Sequence, residues 1–253
     1  MTEVPVSVIC AVKYNPHYFI RCLKMWEIQT HDNFEFIVVN DGGSTEFSSI
    51  LDKSEIKNKK YLHVENQQDR PPAVSWNYGY KHCDGEYIIF LCGDVIVSSK
   101  EAIKQFLLHN DDKIRQSVLT YFLSNAMTIL LDSVDWVSDH TEIQRLPMFW
   151  EYKLPHHNTL NRQNLGAGLT SYITGVPRKL WEYIGGFRNE NHHLVSDQDL
   201  HLRERQLGLG CSTLPDVVAY HQYHKSSKVI MGTSYIYKNE KQARLLEPAQ
   251  REN

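Results

Sequence analysis

Short apolar runs, each closed by small polar or acidic residues, alternate with stretches of helical period through the first hundred residues, and this alternation constrains the fold more than any other feature. Val4 to Val12 is a β-branched run that fits a strand buried on both faces. Asn15-Pro16 follows as an N-cap before proline at the first helical position, and Phe19, Ile20, Leu23 and Trp26 recur at helical spacing up to Thr30. Phe34 to Asn40 is a second buried strand, stopped by Asp41-Gly42-Gly43-Ser44-Thr45, where glycines and small polar residues open a turn. A short third strand is expected at Tyr61 to Val64. Asp69-Arg70-Pro71-Pro72 starts a helix with Val74, Asn77 and Tyr78 on one face, and Asp84-Gly85 turns the chain into the strand Tyr87 to Cys92, with Asp94 just beyond it.

Strands separated by helices predict an α/β fold, a Rossmann-like, mainly parallel sheet flanked by helices. In such sheets ligands lie outside the carboxyl ends of the strands, so Val12 to Asn15, Asp41 and Asp94 converge on one crevice if the sheet is doubly wound. A nicotinamide cofactor would require Gly-x-Gly-x-x-Gly after the first strand, and Lys13-Tyr14-Asn15-Pro16 stands there instead, which argues against a dehydrogenase.

The second half changes character. Ser99 to Leu108 predicts a helix and Ser117 to Leu123 a strand, but Asp139 to Gly168 has no clear period and is expected to be a loop or lid. Its aromatics Phe149, Trp150 and Tyr152 either order that loop for function or merely pack it down. A strand at Ser171 to Thr174 precedes a helix from Pro177 to Ile184 that Gly185-Gly186 stops, and Ser196 caps a last helix from Asp197 to Leu207.

Charge and cysteine usage limit the partners. With 27 basic and 30 acidic residues the formal net charge is -3, so no bulk field favours nucleic acid. The longest apolar run, Tyr87 to Val97, contains Asp94 and falls short of the roughly 20 residues a membrane span needs. The start, Met1-Thr2-Glu3-Val4-Pro5, lacks the basic and apolar segments of a signal peptide, which predicts a cytoplasmic location. Cys10, Cys22, Cys83, Cys92 and Cys211 form no Cys-x-x-Cys pair and are expected to be reduced, small buried hydrophobes.

An ordered set of motifs resembles family 2 of the GT-A glycosyltransferases. The pieces are Val6-Ser7-Val8-Ile9, Val38-Val39-Asn40-Asp41-Gly42-Gly43-Ser44-Thr45, Ala73-Val74-Ser75-Trp76-Asn77-Tyr78-Gly79, Asp84-Gly85-Glu86 through Gly93-Asp94, Ile184-Gly185-Gly186-Phe187, and Ser196-Asp197-Gln198-Asp199-Leu200. The resemblance covers residues 4 to about 224. It implies a GT-A fold with an acceptor-side lobe, and an enzyme that moves a sugar from a nucleoside-diphosphate donor, a UDP-sugar foremost, to an acceptor hydroxyl with inversion. A glycan or glycolipid acceptor, polysaccharide synthesis and contact with the inner face of a membrane follow as expectations.

The resemblance also assigns roles. Asp41 corresponds to the strand-end aspartate that accepts from the donor's base or ribose, with Val12, Asn15 and Asn77 as further nucleotide-binding candidates. Without it, Asp41 could simply close an Asx turn onto Gly43 or Ser44. Asp94 corresponds to the last residue of an Asp-x-Asp element that holds Mn²⁺ or Mg²⁺ on the diphosphate, and Cys92 replaces the first aspartate with a soft thiol that suits a hard ion poorly. His221 is a candidate further metal ligand and His224 a weaker one. Asp197 corresponds to the catalytic base, near Asp199, whose expected ion-pair partner is Arg203; the alternative is that Ser196, Asp197 and Asp199 only cap a helix.

The expected organisation is a single GT-A domain with a nucleotide-binding half to about residue 98, an acceptor and catalytic half to about 224, and an extension over 225–253. That extension could fold over the donor, meet a membrane acceptor or mediate self-association. Two rival functions are a non-catalytic sugar-nucleotide or glycan-binding relative, and a nucleotidyltransferase that attacks the α-phosphate in a similar crevice.

Overall fold

A computed structural model describes residues 4–13, 15–65, 72–139, 141–146, 154–155, 172–188 and 193–224, excluding the side chains of 154–155 and 193–198. The chain divides into two compact units, Met1–Gln222 and Tyr223–Asn253.

In the first unit the strands are β1 (Val6–Val12), β2 (Phe34–Asp41), β3 (Lys59–Val64), β4 (Tyr87–Cys92), β5 (Val95–Val97), β6 (Ile114–Phe122), β7 (Leu154–Pro155), β8 (Ile173–Pro177) and β9 (Gly210–His221). They form one sheet in the order β3-β2-β1-β4-β8-β6-β9-β5, with β7 paired to β6. The segment β3-β2-β1-β4 is wholly parallel, as the alternation with helices predicts, and β6 and β9 are also parallel. Antiparallel pairing enters where β8 joins β4 and β6 and where β5 joins β9.

The continuous apolar runs arise because both faces of the parallel segment are covered. On one face Val8, Cys10, Phe36, Val38, Ile89 and Leu91 pack under α1 (Pro16–Glu27), α2 (Glu46–Lys53) and α4 (Ala102–Leu108). On the other, Ile9, Ile37, Val39, Ile88 and Phe90 pack under α3 (Pro72–Tyr80) and α7 (Arg178–Ile184). Two further short helices, α5 (Asn125–Leu130) and α6 (Thr141–Arg145), and a 3-10 turn at Leu131–Ser133 lie between β6 and β7. The last helix among the described residues, α8 (His193–Gln206), adds Leu200 to the second face.

Several sequence expectations are corrected. Asn15 is not a side-chain cap: it adopts φ 54 with no side-chain cap bond, and Pro16 alone marks the start of α1. That helix ends at Glu27 rather than Thr30. The most consequential shift is in α8, which begins at His193, so Ser196 and Asp197 lie inside it rather than at its mouth. His193, Leu194 and Val195 include no helix breaker, and the helix extends back through them. The strand β9 was not anticipated, since Gly210 to His221 holds Pro215 and Asp216 in its middle; pairing with β6 across an irregularity at Ser117 and Leu119 accommodates them.

Tertiary contacts anchor α8 firmly. Arg115 on β6 donates from Nε to Glu204 Oε1 at 2.5 Å and from Nη2 to Oε2 at 3.1 Å, and its Nη1 reaches Thr174 Oγ1 at 3.1 Å. Arg203 donates to Asp199 Oδ2 at 2.8 Å, the expected i,i+4 pair, and to the carbonyls of Ile184 and Gly186 at 2.5 and 2.7 Å. Among the described residues no helix is long and apolar enough to cross a membrane.

Candidate active site

The parallel register brings the carboxyl ends of β1, β2 and β4 to one rim of the sheet. Asp41 ends β2 and is 3% exposed, with Lys13 Nζ, from the end of β1, 3.7 Å from its Oδ2. Asn40, not Asp41, closes the turn that follows. Its Oδ1 accepts from the Gly43 N–H at 2.7 Å, while Nδ2 donates to the Ser44 carbonyl at 2.9 Å and to the Tyr61 hydroxyl at 2.8 Å. Successive strand residues face opposite ways, so the Asx role falls to Asn40 and the Asp41 carboxylate is left to Lys13.

The two glycines of this turn have separate reasons. Gly42 sits at φ 71, where side chains are disfavoured. Gly43 lies so close to β1 that an added Cβ would come within 2.0 Å of the Lys13 carbonyl oxygen. The glycine pair therefore lets the loop after β2 lie directly against the end of β1.

Of the other nucleotide-binding candidates, Val12 is 4% exposed and packs in the core, so its side chain is not presented to the crevice. Asn15 is exposed in the loop before α1. Asn77 sits on α3 and donates from Nδ2 to the Phe187 carbonyl at 2.7 Å, tying α3 to the turn before α8.

Asp94 follows β4 and meets His221 at the end of β9, Oδ2 to Nε2 at 3.6 Å. The His221 ring is 6% exposed, stacks on Phe122 at 4.6 Å between centroids and meets Tyr172 edge-on. Its Nδ1 lies 2.9 Å from the Gln222 carbonyl. A carbonyl can only accept, so Nδ1 carries the proton, and in the neutral ring the Nε2 lone pair is on the side of Asp94. Carboxylate oxygen and imidazole nitrogen, the latter oriented by a bond from its other nitrogen, form a donor set that suits a divalent cation. Cys92 does not join it; the residue is half-buried at the end of β4 against both apolar clusters. His224 belongs to the second unit.

Asp197 is placed by backbone only, in the second turn of α8. Two residues on, Asp199 is held by Arg203 and by Arg188, whose Nη1 lies 3.1 Å from its Oδ1. With both guanidiniums engaged, Asp199 is a structural acid. The aromatics 149, 150 and 152, His156, His157 and His192, and the extension 225–253 lie outside the described residues.

Sequence reasoning missed Lys13, Asn40 and the polar residues behind Asp94 and His221. A signal existed for Asn40, a carboxamide at a strand end before glycines, a setting that favours Asx turns. No local signal marks the others.

The family described as Glycosyl transferase family 2 matches residues 7–175. An uncharacterized glycosyltransferase of Rickettsia conorii is 35% identical over 97 residues, which is 37% of this chain and 15% of that protein. The chain thus spans only a small part of such a relative. Among solved structures, the mannosyltransferase PcManGT of Pyrobaculum calidifontis, in complex with GDP-Man and Mn²⁺, is similar with a TM-score of 0.62 at 16% identity, covering 89% of this chain and 59% of that one. TarS of S. aureus in complex with UDP-GlcNAc has a TM-score of 0.62 at 20% identity, covering 88% and 60%. At such identities these structures speak to the fold.

Proposed function

This chain belongs to glycosyl transferase family 2, and on that premise we propose that it transfers a sugar from a nucleoside-diphosphate donor to an acceptor hydroxyl with inversion, assisted by Mn²⁺ or Mg²⁺. The observation that carries the reading is the approach of Asp94 and His221 to 3.6 Å at the carboxyl edge of the sheet, on the same rim as the strand end that bears Asp41, with β1 between β2 and β4. The resemblance to structures determined with GDP-Man and Mn²⁺ and with UDP-GlcNAc supports a nucleotide-sugar donor.

In this mechanism Asp41 accepts from the base or ribose of the donor, and Lys13 beside it supplies a positive charge for the donor's anionic part. Asp94 and His221 would hold the ion, which would supply positive charge to offset that building on the leaving diphosphate. Asp197 takes the proton of the incoming hydroxyl as the new glycosidic bond forms. The acceptor is a glycan or glycolipid hydroxyl, reached over the second half of the sheet, and the setting is the cytoplasmic face of polysaccharide synthesis.

The test is to incubate the chain with a panel of nucleotide sugars, with and without Mn²⁺, and follow the products. Ion-dependent release of nucleoside diphosphate is expected. Release of pyrophosphate would instead identify a nucleotidyltransferase, and tight binding without turnover would identify a binding protein.

A further inference from the structure

Next to His221 stands a further buried polar residue, Gln222. Gln222 is 0% exposed and uses both main chain and side chain on the ion-site candidates and their surroundings. Its backbone N–H donates to the Asp94 carbonyl at 3.0 Å, and its side-chain Nε2 donates to the same carbonyl at 3.3 Å. Its own carbonyl accepts the Nδ1 proton of His221 at 2.9 Å. One residue thus holds the main chain under the carboxylate and selects the histidine tautomer.

Gln222 is itself held by α1. Nε2 also donates to the Tyr18 carbonyl at 3.0 Å, and Oε1 accepts from Arg21 Nη1 at 3.0 Å. Arg21, on α1, is clamped by Asp132 through Nε at 3.0 Å and Nη2 at 2.6 Å. A buried carboxamide has two acceptor lone pairs and two donor hydrogens, and these partners use both hydrogens, so the side chain has a single satisfied orientation.

We propose that Gln222, locked by Arg21 and Asp132, is the positioning residue of the ion site, setting the spacing of Asp94 and His221 and the tautomer of His221. The inference rests on the proposed role of those two residues. Outer groups that orient metal ligands typically govern affinity by roughly 10 to 100-fold. Arg21 and Asp132 are linked to the site through the hydrogen bond from Arg21 to Gln222.

The experiment titrates Mn²⁺ into the full chain, with and without UDP, following the resonance of free Mn²⁺, and records ¹⁵N spectra of the metal-free histidines. For Gln222→Leu the Mn²⁺ dissociation constant should rise about 10 to 100-fold, while His221 should stay in the Nδ1–H form in both proteins, because the variant keeps the backbone carbonyl that accepts this proton. Affinity within about twofold of wild type would overturn the proposal, whatever the melting temperature does, and a wild-type His221 in the Nε2–H form would overturn its tautomer assignment. If Gln222→Leu does not fold, Asp132→Asn decides: the Asp132 side chain is 66% exposed, so the variant should fold, and it should weaken Mn²⁺ binding by a smaller factor in the same direction. Unchanged binding there overturns the relay. A wild-type chain that binds no Mn²⁺ would overturn the ion-site reading itself, whereas a wild-type chain that binds Mn²⁺ and a variant that binds it equally well would overturn only the role of Gln222.

Discussion

Arg115 and Glu204 meet through two hydrogen bonds at a point where each side chain is only 1% exposed, so the helix that carries Asp197 is pinned to β6 by an ion pair sealed from water. Burial pushes the Glu204 carboxyl toward the neutral form, but Arg115 and then His201 outweigh it and hold the pKa below the ordinary glutamate value. The pair is therefore charged at neutral pH.

Removing one partner should leave the other charge buried and unmatched. Glu204→Ala is expected to cost about 3 to 5 kcal/mol, whereas the double change Arg115→Met with Glu204→Leu should cost far less, since apolar replacement of a buried pair is often neutral. Urea unfolding of wild type, single and double variants checks this. A double variant as unstable as the single one would show that the pair contributes through more than mutual neutralisation.

Asp94→Asn keeps the size of the side chain and removes its charge. Donor affinity should lose its dependence on Mn²⁺ while binding without the ion stays near wild type. Calorimetry with and without Mn²⁺ measures the difference, and an unaltered ion dependence would remove Asp94 from the site.

Asp197 lies inside α8, so it does not act as the N-cap of that helix and Asp197→Asn should cost little stability. Loss of a general base should nonetheless lower turnover by roughly 10² to 10⁴ with donor affinity nearly unchanged. Near-normal transfer by a folded variant that binds donor would rule out the base assignment.

A buried network at the other edge of the sheet governs the acid limb of stability. Burial raises the Glu35 pKa, but bonds from the Asp84 N–H, Lys60 and Ser7 outweigh it, and the net shift is downward from 4.5. The unfolded chain then takes up this proton first as pH falls. The Glu35 contribution is complete above pH 4.5 and fades as pH drops through the lower folded value. Lys60 is shifted upward from 10.5 by Glu35, so its contribution is present below that pH and fades as pH rises through the folded value. Glu35→Gln should flatten the stability curve below pH 4.5. Denaturation midpoints across that range test it, and an unchanged slope would show that other carboxylates carry the acid transition.

The amino-acid sequence by itself determined the parallel core and the order of its elements. The runs Val6–Val12, Phe34–Asp41 and Tyr87–Cys92 carry apolar residues on both faces, and a sheet covered on both sides buries them. From that follows the meeting of strand ends at Asp41 and Asp94, because parallel strands joined by helices all end on one rim. The family resemblance was legible in the same local motifs.

Tertiary structure alone decided what stands behind those residues. Arg21, Asp132 and Gln222 form one hydrogen-bonded chain although they come from α1, a 3-10 turn and the residue after β9. Arg115 finds Glu204, and Lys13 finds Asp41, in the same manner. Local periodicity reports only which face a residue takes in its own element. The partner of a buried polar side chain is chosen by which donor or acceptor the packed sheet brings within hydrogen-bond reach, because a buried group without one is costly. No spacing along the chain encodes that choice.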